Sequence, residues 1–335
     1  MKTPVPEKLH YELVKEIKPV FRYEGQPVEA FTGQCREKLK ELLGMNEFVP
    51  CEPTVTVTER SELNGCRRIH FTVETEKDYL AHCDLLLPPT QAGPLPLCVC
   101  LQGHASGAHR SLNLNKYPCD TSPASEGDRD FAIQAVARGY AALAVEQRGF
   151  GECGGTDRGP DCNPGTYKAL LLGRTTIGER VWDVSRILDA METNFADLVT
   201  LKGSLCMGNS GGGTATIYIA CLEHRLDAFM PSCAMCTYLD SIVAMTHCSC
   251  NYIPGIAKYF DMGDLAMMMA PKKLVVVCGK DDPIFPLHGV KKSFELIQKC
   301  YAAHGAPENC RLVIGNEGHR FYAADAWPVL EELMK

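Results

Sequence analysis

Gly208-Asn209-Ser210-Gly211-Gly212 sets a serine in the pattern G-x-S-x-G, directly after the apolar run Leu205-Cys206-Met207 and before a helix expected over 213–221. A serine at such a strand-to-helix junction sits on a strained turn that lifts its hydroxyl clear of the sheet. Small neighbours are needed there because side chains would collide where the chain reverses. Ser210 is therefore the candidate nucleophile. The backbone N–H of Gly211, next in the chain, is the candidate donor to a carbonyl oxygen that becomes negative under attack. A phosphate-binding loop would use glycines in a similar way, but no Gly-Lys-Ser/Thr follows.

A serine hydroxyl is a weak nucleophile without a base, and an imidazole base needs a carboxylate to orient it. Downstream, Leu274-Val275-Val276-Val277-Cys278 reads as a buried strand and runs into Gly279-Lys280-Asp281-Asp282, with Pro283 and Pro286 closing the loop. Either aspartate could orient an imidazole. Further on, Arg311-Leu312-Val313-Ile314 leads into Gly318-His319, so His319 falls in a loop after the last strand. There it can take the Ser210 proton and return it to a leaving group. His304 falls at a helix end and His288 directly after the aspartate loop, so neither has that position. His104 and His109 could act by side chain, but a base from their loop would leave His319 without a role.

The elements that must hold these residues follow from periodicity. Residues 1–50 read as amphipathic and helical, notably 27–43 with apolar Phe31, Leu39, Leu42 and Leu43, ending at Gly44. Three alternating or β-branched runs, 54–60, 67–75 and 79–87, follow, the first two separated by Asn64-Gly65; they predict antiparallel strands. From Pro94 onward short, wholly apolar strands (97–101, 141–146, 204–207, 228–230, 274–278, 312–314) alternate with helices (131–138, 179–191, 213–221, 290–304). That pattern predicts a doubly wound, mostly parallel sheet. The expected organisation is an N-terminal helical extension over 1–50 and one catalytic domain over 51–335. Two connections, 149–177 and 232–273, are too long for simple loops and are expected to be lid-like insertions.

Taken with Gln102-Gly103-His104, Arg148-Gly149-Phe150-Gly151-Glu152 and the run 171–191, these motifs resemble the acetyl-xylan-esterase and dienelactone-hydrolase-like branch of the α/β-hydrolase superfamily. The resemblance extends from about residue 54 to the C-terminus. It implies an α/β-hydrolase fold and a triad of Ser210, Asp282 and His319, with Asp282 favoured because similar proteins carry the acid three residues after a glycine, here Gly279. It implies that the His104 backbone N–H joins that of Gly211 in the oxyanion hole, and that Arg148 and Gly149 are structural, with Glu146 a lesser candidate to face the pocket. It further implies hydrolysis of a carboxylic ester through an acyl-Ser210 intermediate, acetyl esters on saccharides or other small acyl esters being the expected substrates, with no metal and no organic cofactor. A peptidase or amidase could use the same triad, but no repeat domain of the oligopeptidase kind precedes the catalytic region. A non-catalytic binding protein on this scaffold would usually have lost one of the three residues.

A formal net charge of −7 and a pI near 5.8 exclude the basic stripe that nucleic-acid binding requires. The first twenty residues lack the apolar run of a signal peptide and no stretch reaches membrane-spanning length, so a cytoplasmic protein without a membrane partner is expected. Its partner is then a small-molecule ester, with a homo-oligomer left open. The 18 cysteines are scattered through expected strands and helices, which predicts reduced thiols. Cys233/Cys236 form a C-x-x-C, and Cys248/Cys250 a C-x-C beside His247. Neither has the repeated spacing of a zinc module, so both are read as packing and rim residues. Cys206, the methionines 262, 267, 268 and 269, Trp182 and Trp327 are expected to fill space rather than to react.

Overall fold

Asn64 and Gly65 both have positive φ, 52° and 77°, the geometry a two-residue hairpin turn needs. They join β1 (Val55–Leu63) to β2 (Cys66–Glu76), which pairs antiparallel with β3 (Tyr79–Leu87). This is a computed structural model that describes residues 3–335. The remaining strands are β4 (Leu95–Leu101), β5 (Ala141–Val145), β6 (Val199–Asn209), β7 (Ala228–Ser232), β8 (Lys273–Gly279) and β9 (Cys310–Gly315). All nine form one sheet in the order β1-β2-β3-β5-β4-β6-β7-β8-β9. β3 meets β5 antiparallel, and every pairing from β5 to β9 is parallel.

The parallel strands are apolar throughout because both faces of the sheet are covered. In β4, Leu97, Val99 and Leu101 join one core while Cys98 and Cys100 join the other, the period-two alternation of a strand buried on both sides. The first face is covered by the helices Val28–Leu43, Thr176–Asn194, Gly211–Leu222 and Leu287–Ala303, and the second by Phe131–Val136 and Ala323–Leu333. The helix Val28–Leu43 buries Phe31, Cys35, Leu39 and Leu43 and ends at Gly44 in the left-handed conformation, φ 74°. Thr175 caps the helix Thr176–Asn194 by accepting from the Gly178 N–H at 3.0 Å.

Arg148 is structural, as the turn in which it lies suggests. Its guanidinium makes two hydrogen bonds of 2.8 Å to Asp183 and ion pairs to Glu76 and Glu179, tying the loop after β5 to β2 and to the helix Thr176–Asn194. The two long connections are more ordered than loops: 149–177 contains the helix Asn163–Leu171, and 232–273 contains several single helical turns. Met262, Met267, Met268 and Met269 are buried in the main core, as are Cys206 and, on the opposite face, Trp327. Trp182 is half-buried and stacks on Phe48. No helix of the described residues is long and apolar enough to cross a membrane.

Candidate active site

Strand β6 runs two residues past its apolar core to Asn209, turns at Ser210 and continues as the helix Gly211–Leu222. Ser210 has φ 54° and ψ −120°, a strained conformation for a residue with a side chain. Two contacts hold it there: its N–H donates to the Ser232 carbonyl of β7 at 2.8 Å, and its carbonyl accepts from the Thr214 N–H at 2.8 Å. The glycines on either side are steric requirements. A Cβ on Gly208 would lie 2.5 Å from the Gly212 carbonyl, and one on Gly212 only 2.1 Å from the Leu101 carbonyl of β4. Side chains at either position would push apart the strand, the helix and the neighbouring strand.

β8 and β9 lead into two adjacent loops that meet the same opening. Asp282 is buried, and its Oδ2 accepts from His319 Nδ1 at 2.8 Å while Oδ1 accepts from the Ile284 and Phe285 N–H groups at 2.8 and 3.1 Å. Burial acts to raise the Asp282 pKa, but these hydrogen bonds and the nearby imidazole outweigh it and hold the carboxyl below its ordinary value. The carboxylate thereby fixes His319 with Nδ1–H toward the acid, leaving Nε2 as the nitrogen free to take a proton. Phe285 stacks on the imidazole with an interplanar angle of 17°. Asp281 points away: its side chain is 68% exposed and it pairs with Lys280. Three rival histidines are engaged elsewhere, His304 with the Cys300 carbonyl, His288 with Asp240 and His109 with Asp120.

The loop after β4 crosses the turn at Ser210. A Cβ on Gly103 would lie 2.7 Å from the Asn209 carbonyl and 3.0 Å from Ser210 Cβ, and a Cβ on Gly211 would lie 2.8 Å from the His104 ring. Gln102 anchors this loop: its Nε2 donates to Ser111 Oγ and to the Arg129 carbonyl, and its own carbonyl accepts from Gln147. Ser210, His319, Gly103, His104 and Gly211 all line one cavity of about 660 Å³. Its rim carries Glu126, Arg129, Glu317 and Arg320, and its apolar wall Met245, Ile284 and Phe285. Glu146 does not line this cavity. It is buried beneath the 103–112 loop, where both carboxylate oxygens accept from the Ala108 N–H, and burial, against that bond, pushes its pKa up to about 8.

One grouping was not legible in the sequence. The His104 imidazole does not project free into the cavity; its Nε2 lies 3.2 Å from Cys250 Sγ, in a cluster with Cys162 and Cys248. The histidine adjacent to the Cys248/Cys250 pair in sequence, His247, lies instead against Ser241. Cys233 and Cys236 are buried and make weak bonds to the Arg320 and Pro286 carbonyls, as packing residues do.

The order of strands, the turn at Ser210 and the covering of both sheet faces are those of an α/β-hydrolase fold. The chain belongs to the Abhydrolase family, whose model matches residues 11–325. It is 26% identical over 193 residues to "Putative hydrolase YtaP" of Bacillus subtilis (strain 168), a match that covers 56% of this chain and 62% of the relative, less than two thirds of its length. Among solved structures, it is similar to a "putative acetyl xylan esterase" of Bacteroides fragilis NCTC 9343, with TM-score 0.80 and 17% identity over 93% of this chain and 83% of the other. It is also similar to a glucuronoyl esterase of Solibacter usitatus, with TM-score 0.71 and 17% identity over 96% of this chain and 99% of the other. At such identities the likeness shows a shared fold.

Proposed function

We propose that this protein is a serine carboxylic-ester hydrolase that works through an acyl-Ser210 intermediate, with acetylated saccharides or other small acyl esters as substrates. The observation that carries the proposal is the Asp282–His319 hydrogen bond of 2.8 Å facing the same cavity as Ser210 on its strained turn. His319 Nε2 takes the Ser210 proton as Oγ attacks the ester carbonyl carbon. The backbone N–H groups of Gly211 and His104 hold the oxygen that becomes negative. As the tetrahedral centre collapses, the carbon–oxygen bond to the alcohol breaks and His319 gives its proton to the departing alkoxide. Water then attacks the acyl-Ser210 with His319 as base, releasing the carboxylic acid and restoring the serine.

The esterase names of the solved structures above support ester over amide chemistry. The charged rim of Glu126, Arg129, Glu317 and Arg320 suits a hydroxyl-rich alcohol, and the limited apolar wall suits a short acyl group. The 18 free cysteines suit a reducing compartment, so the proposal includes a cytoplasmic location. A panel of p-nitrophenyl esters of increasing acyl length, acetylated oligosaccharides and the matched amides tests the substrate assignment. Turnover should be highest with acetyl esters and lowest with amides. Equal or faster cleavage of the amides would overturn it.

A further inference from the structure

We propose that His104, Cys162, Cys248 and Cys250 form a tetrahedral zinc site that fastens together the three loops around the Ser210 cavity. The four ligand atoms, one imidazole nitrogen and three thiol sulfurs, all lie within 4.8 Å of one another. Zinc bonds of ~2.3 Å to sulfur and ~2.0 Å to nitrogen, arranged tetrahedrally, place neighbouring ligand atoms roughly 3.5–3.8 Å apart. The four side chains need therefore close by only a fraction of their present spacing. Three soft sulfurs and one imidazole match zinc, whereas calcium and magnesium take oxygen ligands.

The charges around the cluster point the same way. Arg180 is 1% exposed, and its guanidinium lies 3.6 Å from both Cys250 Sγ and Cys162 Sγ. Its other partners are the Arg148 carbonyl and the face of Phe150, and among the described residues no carboxylate lies within ion-pair distance of it. A buried guanidinium needs an anion. One thiolate beside two neutral thiols would balance it without a metal; a zinc ion is what lets all three thiols ionise together without leaving excess negative charge. Three thiolates, one Zn²⁺ and Arg180 sum to zero.

The ligands come from separate parts of the chain: His104 follows β4, Cys162 lies in the first long connection, and Cys248 and Cys250 lie in the second. His104 and Cys248 both line the Ser210 cavity. With four protein ligands the zinc has no open position, which makes it a structural ion rather than a Lewis acid. It fixes the backbone beside Gly211, where the His104 ring packs, and joins the two insertions into one wall.

Elemental analysis of the full-length protein, purified under reductant without chelator, tests the site independently of any esterase activity. One zinc per chain is expected in the wild type and in Ser210→Ala, with zinc falling to background in Cys162→Ser and Cys250→Ser. Because those variants could fail to fold, the wild type is also stripped and refilled with Co²⁺. Thiolate-to-cobalt charge-transfer absorption and the d–d bands of a tetrahedral site are expected. Wild-type protein that carries no stoichiometric zinc and binds neither Zn²⁺ nor Co²⁺ overturns the proposal, as does a disulfide among Cys162, Cys248 and Cys250, or stoichiometric iron or copper in place of zinc.

Discussion

Glu146 should make the stability of this protein fall as pH rises through neutrality. Its side chain is 4% exposed beneath the loop that carries His104, and burial raises its pKa from 4.5 to about 8. The folded chain therefore holds a proton that the unfolded chain releases between those values. The contribution of Glu146 is fully present below the unfolded value and declines as pH climbs to the folded one. Each pKa unit corresponds to about 1.4 kcal/mol, so between pH 6 and pH 8 the loss from this one group is about 2 to 3 kcal/mol. Glu146→Gln keeps the shape and the acceptor for the Ala108 N–H but cannot ionise. Urea unfolding under reductant, followed by the fluorescence of Trp182 and Trp327 at pH 6, 7, 8 and 9, should show the stability gap between variant and wild type widening in the variant's favour from pH 6 to pH 8 and levelling off above it. Parallel curves across that range would refute the reasoning, because a carboxylate that was already ionised at pH 6 would contribute no slope.

Other substitutions separate the members of the site from their neighbours. Asp282→Asn should lower kcat by on the order of 10³- to 10⁴-fold with little change in KM, because the imidazole loses the acceptor that fixes its tautomer. Asp281→Asn, at an exposed position, should stay near wild type in the same steady-state assay. Gly212→Ala should abolish soluble expression or sharply lower the unfolding midpoint, since the new methyl would lie 2.1 Å from the Leu101 carbonyl. Gly33→Ala, on the exposed face of the helix Val28–Leu43 with no atom in the way, should instead stabilise the protein by about 0.5–1 kcal/mol in the same urea titration.

What could be read directly from the sequence was whatever depends on neighbours in the chain. The turn at Ser210 is encoded in five consecutive residues, and the parallel strands declare themselves as short apolar runs because they are covered on both faces. The preference for Asp282 over Asp281 came from resemblance alone, and the distinction is three-dimensional: one carboxyl is buried against His319 and the other is in solvent. The helix Asn163–Leu171 was masked by Pro164 and Gly165, which read as loop residues, although a proline in the first turn costs a helix nothing. β6 begins at Val199, well before its apolar core, because Thr200 is half-buried and Lys202 exposed near the end of the strand, so the polar residues there do not read as a buried strand. The thiol cluster escaped for a stronger reason. Its members lie on three loops that meet only in the folded chain, and the histidine beside Cys248 in sequence is not the one beside it in space.

The most direct test of the account is covalent labelling of the nucleophile combined with its removal. A fluorophosphonate probe should add once per chain, and peptide mass spectrometry should place the adduct on Ser210. Ser210→Ala should bind no probe and lose ester turnover by on the order of 10³-fold or more while unfolding like the wild type. Ester hydrolysis that persists in Ser210→Ala, or an adduct on any other residue, would contradict it.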